Sequence, residues 1–202
     1  MIGNLVPGPR EFAAYVYRIR FSLLVVALLF TLTLLAGAAI AVALPHETQQ
    51  IMELVGAEFS GFRDQSSFEL MFRLFLHNAL ICAIMVALGL AFGLITLLIV
   101  ADNGLVIGLI GTYTAGKAGL LFTIAAIMPH GVIELPAMVL SAAIGLYLGY
   151  SVLQSLFRRP VDVVKELKDG ASMFVFWVLP FLLIAAFIES YVTTAVVYFL
   201  TR

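Results

Sequence analysis

Residues 129–137, with the sequence PHGVIELPA, place two titratable side chains and two prolines inside a run that is otherwise apolar. His130 and Glu134 are four positions apart, so on a helix they lie on one face with Cβ atoms about 6 Å apart. Pro129 suits the first turn of a helix, where its missing N–H has no partner. Pro136 lies inside such a helix and leaves one carbonyl without its donor. The stretch therefore predicts a kinked, apolar helix with a polar pair near its start.

The composition around this stretch excludes a soluble globular domain. Of 202 residues, 63% are hydrophobic and 11% are charged, and the mean hydropathy is +1.11. Soluble domains are nearer half apolar. The net charge of −1 gives no indication of a nucleic-acid partner. The single Cys82 excludes a disulfide framework within the chain.

The apolar runs predict an all-α fold, a polytopic α-helical membrane protein with about five transmembrane helices in one domain, residues 1–202. The expected spans are Phe21–Leu44, Leu74–Val100, Leu105–Met128, Gly131–Phe157 and Ala171–Leu200. Asp102-Asn103-Gly104 is expected to form the turn between the second and third spans.

Three polar segments separate or precede the spans. Residues 1–20 combine arginines with aromatic residues, which is typical of a helix at the membrane interface. Residues 45–73 form an acidic linker, and Ser66 followed by Glu69 predicts a capping box at the start of the next helix. Residues 158–170 form a charged connector before the fifth span.

The third span has two interpretations. Lys117 lies between Gly116 and Gly119, so the segment either crosses with a break at its centre or forms a re-entrant hairpin. If it crosses, basic residues divide seven against three: Arg10, Arg18, Arg20, Arg158, Arg159, Lys165 and Lys168 against Arg63, Arg73 and Arg202. A hairpin would move the basic residues of the last connector to the far side. The positive-inside rule favours five crossings, in the cell membrane, with a cytoplasmic N-terminus and connector and an extracytoplasmic linker.

Six polar residues within the spans are expected to converge. These are His77, Asn78, Lys117, His130, Glu134 and Glu189. An ionisable side chain at membrane depth costs about 2.5–3.5 kcal/mol on insertion scales, so it should find a partner or water. The alternatives are ordinary interhelical hydrogen bonds for His77 and Asn78, a wet interface for His130, and a hairpin tip in water for Lys117. Two histidines with carboxylates are also a chemically possible metal shell, although no H-E-x-x-H helix is present.

Small residues recur at four-residue spacing, which allows helix backbones to approach closely. They are Gly89, Gly93, Gly104, Gly108, Ala137, Ser141, Gly145 and Gly149. The pattern predicts tight packing, either within one chain or between two copies in a homo-oligomer.

The 129–137 stretch also carries a resemblance to a known family. Together with Gly145-Leu146-Tyr147-Leu148-Gly149, Asn103-Gly104 and His77-Asn78, it resembles the stage II sporulation protein M family of integral membrane proteins over about residues 70 to 155. In spore formers, members act in engulfment as a membrane anchor for cell-wall hydrolases. Members also occur in organisms that form no spores, so the resemblance implies a membrane component rather than a particular process.

Three functions remain open at this point. The first is a non-enzymatic scaffold in the lipid bilayer that recruits membrane or cell-envelope proteins. The second is a transporter or channel that uses His130, Glu134, Glu189 and Lys117 as an ion or proton site. The third is an intramembrane metal-dependent hydrolase. No nucleophile motif and no nucleotide-binding loop is visible, so we expect no catalytic residues and no cofactor.

Overall fold

The computed structural model describes residues 6–59 and 66–200, and its helices account for most of that length. In chain order they are α1 (Pro9–Arg18), α2 (Arg20–Ala43), α3 (Pro45–Phe59), α4 (Ser67–Gly89), α5 (Leu94–Ala118), α6 (Leu120–Leu156), α7 (Val163–Met173), α8 (Leu179–Phe187) and α9 (Thr194–Leu200). No strand occurs in this part of the chain. Residues 1–5 of the expected interfacial segment lie outside the described residues. So do residues 60–65 of the linker, with Arg63 and Asp64, and Arg202.

Within the described residues, five helices are long and apolar enough to cross a membrane, which confirms the prediction of a polytopic all-α membrane protein. They are Arg20–Ala43, Ser67–Gly89, Leu94–Ala118, Leu120–Leu156 and a helix that runs from Val163 to Val196 through α7, α8 and the start of α9. The capping box is also confirmed, since Ser66 Oγ accepts from the Glu69 N–H at 3.3 Å and the Glu69 carboxylate accepts from the Ser66 N–H at 2.9 Å.

The turn between the second and third spans lies at residues 90–93, so its expected position at Asp102–Gly104 is wrong. Phe92 and Gly93 have φ angles of 60° and 74°, and glycine adopts this left-handed region without strain. Asn103 instead lies inside α5 and donates its side-chain N–H to the carbonyl of Ile99 at 2.8 Å. The helix continues through the Asp-Asn-Gly triplet because Gly104 packs against α2.

The third candidate span is the continuous helix Leu94–Ala118, so the expected bounds Leu105–Met128 are wrong. That expected segment contains the chain reversal at Gly119, which joins two long helices and is not a re-entrant hairpin within one span. A Cβ at Gly104 would meet Thr33 and Phe30, and a Cβ at Gly108 would meet Leu34 and Ala38, so α5 runs parallel to α2. On the side that faces α6, a Cβ at Gly93 would meet Leu146 and a Cβ at Gly111 would lie near Ile127. Helix α5 therefore runs antiparallel to α6. The chain reverses at Gly119, which has a φ of 91°.

The fourth span begins eleven residues earlier than Gly131, at Leu120, and both Pro129 and Pro136 lie inside it. The expected role of Pro129 in a first helical turn is therefore wrong. With 37 residues, α6 is about 55 Å long, whereas a bilayer core is about 30 Å thick. The glycine at position 119 stops α5, and the apolar residues after it restart a helix at once, which explains the early beginning.

The bundle has two distinct ends. The charged end comprises α1, residues 90–93, the end of α6, and α7. The cluster end comprises the ends of α2 and α5 and the first half of α6. Between them, small residues bring α4 and α6 into backbone contact: a Cβ at Gly145 would collide with the carbonyl of Met85, and a Cβ at Gly149 would lie 2.5 Å from the carbonyl of Gly89. The predicted glycine packing is therefore made within one chain.

The last span contains two π-helical turns, Phe174–Val178 and Ile188–Thr193. Pro180, just after the first, has no N–H to donate, and widening of the preceding turn is a common accommodation of such a gap. The second π-helical turn contains Glu189. A π-helical turn shifts the side chains that follow it around the helix, so it changes which neighbours each residue faces.

Candidate functional site

The structure brings together polar side chains from four segments at the cluster end. His130 and Glu134 come from α6, one turn apart, and Glu189 comes from the second π-helical turn of the last span. Asn78 of α4 and Asn103 of α5 complete the group. We call these five residues the polar cluster.

His130 forms its ion pair with Glu189 and not with its predicted partner on the same helix. The Nδ1 atom of His130 contacts Oε2 of Glu189, and the two side chains are 20% and 32% exposed. The π-helical turn at Ile188–Thr193 is what aims Glu189 at α6, and the Thr194 hydroxyl donates to the Glu189 carbonyl at 3.2 Å across that turn.

Glu134 lies one turn deeper in the bundle and faces a different partner. The Asn78 side chain is within hydrogen-bonding reach of its carboxylate. Asn78, Asn103, Cys82 and Glu134 together line a cavity of about 20 Å³, with Ile81, Met138 and Leu182 as its apolar walls. A cavity of this size and polarity has room for about one water molecule.

A larger cavity of about 180 Å³ opens beside the ion pair, between α5 and α6. His130 and Glu134 line it, and its other walls are Ile107, Ile110, Ile127, Gly131 and Leu135. Apolar walls with a few polar groups are typical of small-ligand sites. The two polar side chains that line this cavity are an imidazole and a carboxyl group, which are groups that can exchange a proton or contact a small cation.

Two predicted members lie apart from the polar cluster. His77 is on the exposed face of α4, although its neighbour Asn78 faces inward, because successive residues of a helix point about 100° apart. Lys117 is exposed at the end of α5 and lies over the Tyr113 ring at 5.7 Å. Neither Glu134 nor Glu189 is its partner. Lys117 therefore lies at a hairpin tip, which was the alternative interpretation of that residue.

Metal binding finds no support in the geometry of this region. Among residues 6–59 and 66–200, no group of three histidine, cysteine, aspartate or glutamate side chains is arranged to hold a metal ion.

The hydroxyls of Ser190 and Thr193, which neighbour Glu189 in sequence, are buried and make no hydrogen bond to a described residue.

The charged end holds a second polar arrangement, between α1 and α7. Arg18 pairs with Glu166 at 3.1 Å and with Asp169 at 2.8 Å. Burial lowers the pKa of the Arg18 guanidinium, but the hydrogen bond to Asp169 and the neighbouring negative charges outweigh burial and raise it overall. Lys165 lies 3.6 Å from Asp169. These contacts fasten α1 to α7 across about 150 residues of sequence.

Aromatic contacts fasten α1 to the last span as well. Trp177 donates its ring N–H to the carbonyl of Pro7 at 3.1 Å and stacks on Phe12 with ring centroids 4.3 Å apart. The resulting cleft has a volume of about 520 Å³, and both acidic and basic side chains line it. Its lining is Pro7, Glu11, Ala14, Tyr15, Arg18, Lys165, Asp169, Ser172 and Met173. We call this the α1–α7 cleft.

Sequence reasoning missed Asn103 and the Arg18 ion pairs. The Asp-Asn-Gly triplet predicts a turn at Asn103, and the signal that favours a helix there is the Gly104–Gly108 spacing directly after it. The i, i+3 spacing of Glu166 and Asp169 indicates one helix face, but nothing local to α7 identifies Arg18 as its partner.

Comparisons with known proteins agree with this architecture. Residues 26–194 match the family described as stage II sporulation protein M. An uncharacterized protein of Methanocaldococcus jannaschii is 32% identical over 127 residues, which cover 61% of this chain and 71% of that protein. No solved structure matches.

Proposed function

This chain belongs to the stage II sporulation protein M family, and we propose that it is a non-enzymatic membrane scaffold that recruits other proteins through the α1–α7 cleft. The observation that carries this proposal is the fixed geometry of the cleft. Two ion pairs, one aromatic stack and one hydrogen bond hold its walls, so a partner would meet a preformed surface.

The cleft chemistry suits a polypeptide segment. Glu11 and Asp169 line it beside Arg18 and Lys165, so charges of both signs face the same opening. Such an alternation can pair with a charged segment in one register and repel it in another, which favours specific recognition.

We also propose that the charged end faces the cytoplasm. Arg18 of α1 contacts α7, so the basic residues of both segments gather at this end. They are Arg10, Arg18, Arg20, Arg158, Arg159, Lys165 and Lys168. The positive-inside rule assigns such an end to the cytoplasm, where soluble partners could reach the cleft.

Site-specific photocrosslinking in native membranes tests the scaffold. We expect a crosslinker at Ala14 or Ser172, inside the cleft, to capture a discrete protein partner, and a crosslinker at Leu121, which is 77% exposed at the opposite end, to capture none. Asp169→Lys should reduce the captured amount at least tenfold, because it reverses the charge of one wall. Recovery of uncoupled protein alone from both cleft positions would contradict the proposal.

A second candidate function, movement of a proton or small cation, rests on the cavity beside the His130–Glu189 pair. In this conformation the cavity extends only part of the way through the bundle. Below the cluster, Met85, Val100, Ile144 and Leu148 are completely buried, and the α4 and α6 backbones touch. Transport would therefore require the half of the bundle toward the charged end to open.

Flux measurements in liposomes distinguish the two functions. If the protein carries ions, a proton or cation flux should appear with the wild-type protein and disappear in both Glu134→Gln and Glu189→Gln. His77→Ala is the matched control, because His77 lies outside the polar cluster. Absence of flux across protons and the common monovalent cations would leave the scaffold as the function.

A further inference from the structure

Asp102 is an acidic side chain on the outer face of a candidate membrane span. It belongs to α5, and its side chain is exposed. Leu98 and Val106, one turn away on either side, are 62% and 38% exposed, and Ile95 is 37% exposed two turns away. No described residue forms an ion pair or a hydrogen bond with the side chain of Asp102. We call Ile95, Leu98, Asp102 and Val106 the Asp102 face.

The position of Asp102 along α5 places it at membrane depth. It lies about 12 Å from the start of α5 and about 24 Å from its end. A hydrocarbon core of about 30 Å covers most of this helix. Any slab of this thickness that lies wholly within the length of α5 contains Asp102.

The register of neighbouring helices agrees with this depth. At the start of α5 lies the charged end, with Arg18 and Arg20, and at its far end lies Lys117. Asp102 lies between these two charged layers, among apolar residues. A carboxylate exposed to lipid there costs about 2.5–3.5 kcal/mol on insertion scales unless it is paired.

A second copy of this chain offers no strong base at the same depth. Within the five candidate spans, lysine and arginine occur only toward the ends, at Arg20, Arg73, Lys117, Lys165 and Lys168. The charge of Asp102 is therefore better matched by a different protein. The exposed aliphatic residues around it supply the flat, apolar surface on which a helix can pack.

We propose that the Asp102 face binds a transmembrane helix of another membrane protein that carries a lysine or arginine near its middle. This proposal rests on the scaffold function above and adds a partner inside the bilayer. An ion pair in lipid has no competing water, so a single pair at this depth selects the partner and sets its register.

The test uses the full-length chain in native membranes with a photocrosslinker at Leu98. Leu35, which is 57% exposed on α2, is the control position. We expect Leu98 to capture one protein whose membrane helix carries a central basic residue. Asp102→Lys should lower that yield at least tenfold and Asp102→Asn at least threefold, while Asp102→Glu retains it. Exchange of the partner's basic residue for aspartate should restore capture by the Asp102→Lys variant.

Three results would overturn the proposal: equal yields from wild type and Asp102→Asn, capture only of a second copy of this chain, or failure of the charge exchange to restore capture. Asp102→Asn keeps the shape of the side chain, so it remains informative if Asp102→Lys does not insert. Crosslinking from Ala14 in the same membranes separates the two proposals. A partner captured at Ala14 but not at Leu98 means that the scaffold stands and the Asp102 face is wrong.

Discussion

The two halves of this bundle are packed by different means. Toward the charged end, α4 and α6 touch through Gly89, Gly145 and Gly149, and side chains such as Ile144 and Leu148 are completely buried. Toward the cluster end, α5 and α6 separate enough to leave a cavity of about 180 Å³, which His130 and Glu134 line together with apolar side chains. Contact between the α4 and α6 backbones thus belongs to one half and the polar cluster to the other, whereas α2 and α5 keep backbone contact at Gly37 and Gly108 toward the cluster end.

The closely packed half supports the structure, and the looser half holds the side chains that could carry out chemistry. Close backbone packing leaves no space for water where α4 and α6 touch, so a charged side chain is disfavoured within that contact. The looser half accommodates His130, Glu134 and Glu189 because each finds a polar partner or a cavity. The effects of substitutions on the free energy of unfolding should therefore differ between the two halves. They should differ in size and in how far they depend on a neighbouring side chain.

The largest effect is expected at the glycine contact. Gly145→Ala should lower the free energy of unfolding in detergent by about 3 kcal/mol, because the added methyl group collides with the Met85 carbonyl and must push α4 away. Gly116→Ala is the control, since nothing lies within 4 Å of a Cβ there. Thermal unfolding followed by near-UV circular dichroism measures both. Equal melting temperatures of the two variants would mean that the half of the bundle toward the charged end is not closely packed.

The next effect concerns the ion pair of the polar cluster. His130→Ala and Glu189→Gln should each cost about 2 kcal/mol, between the values for exposed and buried pairs, because both side chains are partly exposed. The double variant should cost about 3 kcal/mol, which is less than the sum of the two single losses by a coupling energy of about 1 kcal/mol. Additive losses in this double-mutant cycle would show that the two side chains do not interact.

A third prediction uses alkaline pH at the charged end. Burial raises the pKa of the Tyr15 hydroxyl well above its ordinary value, although the nearby Arg18 charge opposes this. The folded state thus resists losing the proton, whereas the unfolded chain loses it above a pKa of about 10. The stability that Tyr15 contributes is present below pH 10 and decreases as the pH rises beyond it.

Tyr15→Phe should remove this dependence. At neutral pH the variant should unfold much like the wild type, because the Tyr15 hydroxyl has no hydrogen-bond partner among the described residues. At pH 11 the wild type should have lost about 1.4 kcal/mol relative to the variant. Parallel stability curves for the two proteins from pH 8 to pH 11 would show that the hydroxyl is open to water.

The smallest effects compare two adjacent residues of α4. Asn78→Ala should cost about 1 kcal/mol, since it removes the hydrogen-bonding side chain beside Glu134. His77→Ala should change the unfolding free energy by less than about 0.5 kcal/mol, as for other exposed positions. Chemical denaturation in detergent measures both changes in the unfolding free energy. The reverse order would place His77 in the polar cluster.

Part of the candidate site could be predicted from single residues. A glutamate or histidine inside an apolar run is costly, so Glu134, Glu189 and His130 could be selected before their positions were known. Asn103 could not, because an Asp-Asn-Gly triplet has strong local turn propensity. Lys117 was assigned a role in the site because a lysine between glycines fits either a helix break or a hairpin tip, and local sequence does not distinguish them.

Hydropathy and spacing by themselves determined that the chain is an all-α membrane protein with five spans, that a helix begins at the Ser66–Glu69 capping box, and that small residues allow close packing. These features depend on length, periodicity and neighbours within four residues. Only the tertiary structure decided that His130 pairs with Glu189, that α5 turns back at Gly119, and that Asp102 faces outward. Partner choice depends on which helices meet and on the π-helical turn that redirects Glu189, and neither is encoded within a few residues of the side chains involved.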